Sequence, residues 1–112
     1  MNTKKILIGG SARSGKSLFY KNYGYIFYQC LKQEYEQAGR TDYKECMIDL
    51  YKGDATRFTR EFGIKPKNLN SYRIIMNGNL NDAMKYQIQQ EFFKDLLDQA
   101  RDKLNWRVIF VE

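Results

Sequence analysis

The alternation of apolar and polar positions divides the chain into short elements. Lys4-Lys5-Ile6-Leu7-Ile8-Gly9 reads as a buried strand close to the start. Downstream, Phe19, Tyr23, Ile26, Phe27 and Cys30 recur at helical spacing with Leu31 beside them, and Ala38-Gly39 supplies a stop. Gly24 weakens that helix by roughly 1 kcal/mol relative to Ala. Glu45 to Tyr51 reads as a second strand ending at the Lys52-Gly53 turn. Asp54 then caps a short helix over Ala55 to Phe62, closed by Gly63. Pro66 and Lys67 to Ser71 form a connection, after which Tyr72 to Met76 reads as a third strand closed by Asn77-Gly78.

The clearest periodicity lies further on. Met84, Ile88, Phe92, Leu96, Ala100 and Leu104 repeat every four residues with Phe93 and Leu97 alongside, and Asn81 or Asp82 is placed to cap this helix. Trp106 to Glu112 closes the chain as a fourth strand. The resulting order, β-α-β-α-β-α-β, predicts an α/β protein in three layers, a parallel sheet of about four strands with helices on its faces. At 112 residues the chain is one domain, 1–112, without repeats or low-complexity tracts.

Between the first strand and the first helix stands Gly10-Ser11-Ala12-Arg13-Ser14-Gly15-Lys16-Ser17, a complete G-x-x-x-x-G-K-[ST] string. The physical reason for such a string is an anion nest. Glycines permit the sharp turn that aims backbone N–H groups inward, and a helix beginning behind the loop turns its positive dipole end to the same point. In this reading the backbone from Gly10 to Ser17 cradles phosphate, Lys16 reaches the β- and γ-phosphates, and Ser17 holds Mg²⁺.

Lys4 to Ser17 resembles the Walker A region of P-loop NTPases. Its wording is similar to that of cobinamide-kinase-type enzymes and of phage large-terminase ATPases. The resemblance implies a Mg²⁺-bound ATP or GTP at the carboxyl edge of the sheet, with phosphoryl transfer or hydrolysis as the chemistry. It covers only the beginning of the chain, which is short for that superfamily and so reads as a reduced fold or a fragment. Such enzymes also need a second acid after an apolar strand. Asp49, within the second strand candidate, and Glu112, after Val108 to Val111, are the two choices, with Asp82 and Asn77 behind them.

Composition narrows the chemistry. Nineteen Lys and Arg against 13 Asp and Glu give a net charge of +6, which favours anionic partners: a nucleotide, and nucleic acid as a further candidate. The charges are scattered, and Arg57 and Arg60 read as surface charges on the short helix. With no histidine, catalysis by a histidine base is excluded. Cys30 and Cys46, without paired spacing, read as buried thiols of a reducing, cytoplasmic compartment. No signal peptide or membrane span is evident, and assembly with further subunits is left open.

One alternative belongs to a different class. Ala55 to Ile64, followed by Leu69 and Tyr72, is similar to the helix-turn-helix of repressor-type DNA-binding proteins, without catalysis. The other non-catalytic alternative is a phage or mobile-element partner-binding protein that retains a P-loop shape or a chance P-loop string. A helix across Lys67 to Met76 would support the helix-turn-helix alternative, and a strand at Tyr72 to Met76 would remove it.

Overall fold

The computed structural model describes residues 4–8 and 22–111. Among these, two strands and five helices follow one another: β1 (Lys4–Ile8), α1 (Tyr23–Gln37), α2 (Tyr43–Tyr51), α3 (Thr56–Phe62), α4 (Leu69–Met76), α5 (Asp82–Leu104) and β2 (Trp106–Phe110). The expected three-layer fold with a four-stranded sheet is therefore corrected to a largely helical one. Its sheet is a single parallel pair, Lys4 opposite Trp106 through Ile8 opposite Phe110.

Two of the four expected strands are helices, and burial shows why. In Glu45 to Tyr51 a strand would align Cys46, Ile48 and Leu50 on one face, yet Ile48 is 53% exposed while Met47 is buried. Cys46, Met47 and Leu50 instead share the inner face of α2. In Tyr72 to Met76, Ile74 is 73% exposed while Tyr72 is buried, which excludes a common strand face. Leu69, Tyr72 and Met76, at i, i+3 and i+7, turn to the core from α4.

The helix ends follow local chemistry. The Asn22 side chain accepts from Tyr25 N–H at 3.0 Å and opens α1, and Asn81 accepts from Met84 N–H at 2.9 Å and opens α5. Gly63, at φ +72°, closes α3 by donating to the Thr59 carbonyl at 2.8 Å. Asn105 closes α5 in the left-handed region at φ +59°, and its carbonyl accepts from Lys4 N–H at 3.0 Å, which starts the strand pair.

The long helices α1 and α5 pack on each other, and each contacts the sheet. Between them lies an aromatic core in which the Phe27 ring meets Phe58, Phe93 and Trp106 at centroid separations of 5.4, 5.4 and 6.0 Å. Ile6 and Ile8 face this core while Leu7 is exposed. Glu34 of α1 ties both strands down: it accepts from Trp106 Nε1 at 2.9 Å and from Lys4 Nζ at 2.8 Å. The Gln33 side chain binds the Leu7 backbone, donating to its carbonyl at 3.0 Å and accepting from its N–H at 3.4 Å. This amide occupies an edge of β1 where a further strand would pair.

Candidate functional site: the loop edge and a basic groove

Because β1 and β2 are parallel, both bring their carboxyl ends to one edge of the sheet. There Val111 N–H donates to the Ile8 carbonyl at 3.0 Å. The segment that joins β1 to α1 leaves from this edge. The predicted phosphate ligands Gly10, Ser11, Ala12, Arg13, Ser14, Gly15, Lys16 and Ser17 lie outside the described residues, as does Glu112. A cleft of about 340 Å³ adjoins the same edge, with Tyr23 from α1, Leu97 and Arg101 from α5, and Trp106, Val108 and Phe110 from β2.

Asp49 sits in the last turn of α2, half-buried, rather than in or after a strand. The strand on which its selection rested does not exist. Its backbone carbonyl closes α2, accepting from Asp54 N–H at 2.8 Å and from Lys52 N–H at 3.1 Å. Asp82 is the first residue of α5 and Asn77 follows the last turn of α4, so neither ends a strand. Among the described residues no group of three or more Cys, Asp or Glu is placed to hold a metal.

A second feature is organised by helices. Cavity space of about 680 Å³ opens between α3 and α4, bounded by Thr56, Thr59 and Arg60 on one side, Lys65 on the connection, and Asn68 and Arg73 on the other. Among the described residues its walls carry three cations and no carboxylate. Asp54 stands at the head of α3, accepting from Thr56 N–H at 3.1 Å. This bond, with the Arg73 and Arg57 charges beyond it, holds its carboxyl below the usual range.

Arg73 is fixed rather than free. Its Nε donates to the Gly53 carbonyl at 3.1 Å, and the two backbones approach so closely that a Cβ on Gly53 would stand 2.8 Å from Arg73 Cβ. Only glycine fits there, at φ +86°. Arg57, by contrast, faces Asp42 at 3.9 Å. The surface charge expected of Arg60 is seen, on the wall of the groove.

On the other side of α3 a polar cluster joins three elements. Arg40 forms a bidentate pair with Asp42 at 3.0 and 2.6 Å, reaches Glu61 at 2.8 Å, and lies 4.4 Å above the Tyr35 ring. The buried Tyr35 hydroxyl donates to Glu61 at 2.5 Å. Burial, then this bond to Glu61, pushes the Tyr35 hydroxyl pKa up, so it stays a donor. Glu61 is held below the carboxylate range, because the bonds from Arg40 and Tyr35 outweigh the opposing effect of burial. Satisfied on every side, this cluster has the character of a fastening between α1, α2 and α3.

The groove is not legible in the sequence pattern because it needs α4 to be a helix. One signal was present: the 20 residues from Phe62 to Asn81 contain Lys65, Lys67 and Arg73 and no acid. No family model, curated protein or solved structure matches the chain.

Proposed function

We propose that the chain binds a magnesium–nucleoside triphosphate through the segment Gly10 to Ser17. The observation that carries this reading is the setting of the motif. β1 ends at Ile8, two residues before Gly10, at the carboxyl edge of a parallel strand pair, and a helix, α1, follows. That is the edge at which parallel α/β units bind ligands. In this reading backbone N–H groups from Gly10 to Ser17 hold the phosphates, Lys16 balances β/γ charge and Ser17 ligates the ion. Mg²⁺ asks little more of the protein, since it keeps several waters and takes phosphate oxygens.

The acid of the site is then Glu112, which directly follows Val111 in sequence, and not Asp49, which is helical. The reaction class is phosphoryl transfer or hydrolysis in a reducing, cytoplasmic setting, achieved by positioning and charge stabilisation. Calorimetric titration with Mg-ATP and Mg-GTP, beside Lys16→Ala, tests the reading. Micromolar binding that the variant loses at least tenfold is expected. A cooperatively folded protein that binds neither nucleotide would overturn it.

A further inference from the structure

We infer that the groove between α3 and α4 grips the phosphate backbone of duplex DNA, with the outer face of α4 turned to the bases. Three observations converge. Among the described residues the groove walls hold Arg60, Lys65 and Arg73 with no carboxylate, beside hydroxyl and amide donors from Thr56, Thr59 and Asn68. Among the described residues, neither Arg60 nor Lys65 takes part in an ion pair, whereas Arg40, Arg57, Lys67 and Arg101 all do. Arg73, which also lines the groove, is held in position through its Nε bond to the Gly53 carbonyl.

Like charges gathered on a concave wall repel one another, so their arrangement is stabilised by an anion that spans them. The groove is open and bounded by residues of both helices, which suits a polyanion at the surface better than an enclosed small molecule. Its described lining contains no aromatic side chain, so it offers no platform for the stacked bases by which single strands are bound.

The exposed face of α4 argues for a duplex. Asn70 and Ile74 stand one turn apart on it, and Ile74, at 73% exposed, is the most exposed large apolar side chain among the described residues. An Asn pairs with the edge of adenine, and an aliphatic group meets the thymine methyl. With side chains an α-helix is about 10–12 Å across, which matches the width of the B-DNA major groove, and the eight residues of α4 run about 12 Å along it. The deep, narrow major groove of A-form RNA would not admit it.

The connection from Gly63 to Asn68 is longer than the three- or four-residue turn of repressor helix pairs. The inference therefore rests on the charge and shape of this surface and not on that motif.

The test is a fluorescence-anisotropy titration of the full chain, without nucleotide, against a labelled 20-base-pair mixed-sequence duplex at several KCl concentrations. The groove variant Arg60→Gln/Lys65→Gln/Arg73→Gln is compared with a control of equal charge loss, Lys44→Gln/Lys85→Gln/Lys103→Gln. Circular dichroism establishes that both are folded. Arg60→Gln/Lys65→Gln, which leaves Arg73 and its Gly53 bond intact, serves if the triple variant is not. Every cation–phosphate pairing that a substitution removes should reduce the salt slope by about 0.9, so the groove variant should lose about 2 to 3 from its slope and the control much less. Equal slopes for groove and control variants, no binding at 50 mM KCl by the folded protein, or tighter binding of a single-stranded RNA of equal length would each overturn the inference.

Discussion

Gly53→Ala is expected to destabilise the protein by about 2–3 kcal/mol, through two separable effects. Gly53 has φ +86°, and an L-residue there costs about 1 kcal/mol. The added methyl would also stand 2.8 Å from Arg73 Cβ and 2.9 Å from its Cα, atoms of a helix that cannot swing aside. Overpacking of that kind costs about 1–3 kcal/mol, while the lost freedom of the unfolded chain returns about 0.4–1 kcal/mol. At this chain length the net change is a fall in Tm of about 8–12 °C. Gly39→Ala separates the effects, because φ is +72° with nothing within 4 Å of the new methyl. It should lower Tm by no more than about 4 °C. Thermal unfolding followed at 222 nm reads both variants. Equal shifts for the two would refute the close approach of α4 to Gly53, and with it the positioning of Arg73.

Two further outcomes follow from buried groups. Glu61 has a folded pKa below its ordinary value of 4.5, so its contribution is present above that pH and disappears as the pH falls through the folded value. Urea midpoints measured between about pH 5 and pH 2 should fall less steeply for Glu61→Gln than for the wild type, and parallel curves would refute the coupling. Burial, aided by Glu34, pushes the Cys30 thiol up to about 12, and burial likewise raises Cys46. Both should therefore resist a thiol-specific chromogenic reagent at about pH 8 in the native protein and react in urea. Rapid labelling of either thiol in the folded state would contradict their placement in the core.

Length and repeated periodicity made part of this architecture legible in the sequence. The every-fourth-residue stripe from Met84 to Leu104 specifies a helix because consistent spacing over most of a 23-residue element outweighs local exceptions. Asn81, Gly63 and the Ala38-Gly39 stop act through bonds to near neighbours, so their roles are also local. β1 and β2 were recognisable from compact apolar runs bounded by polar residues. The phosphate-loop string is likewise a property of sequence, and its chemistry is now a matter for the Lys16→Ala titration.

Tertiary structure decided the rest. Runs of five to seven residues such as Glu45 to Tyr51 and Tyr72 to Met76 satisfy strand and helix patterns equally well. What chose helix was which side chains the aromatic core around Phe27 could cover, leaving Ile48 and Ile74 outside. Asp49 lost its strand by the same choice. The groove required α3 and α4 to flank one cavity, and the glycine at position 53 that lets Arg73 approach. Strand pairing across almost the whole chain, Lys4 with Trp106, depends on non-local burial through Glu34 and Trp106, for which no short window of sequence carries a signal.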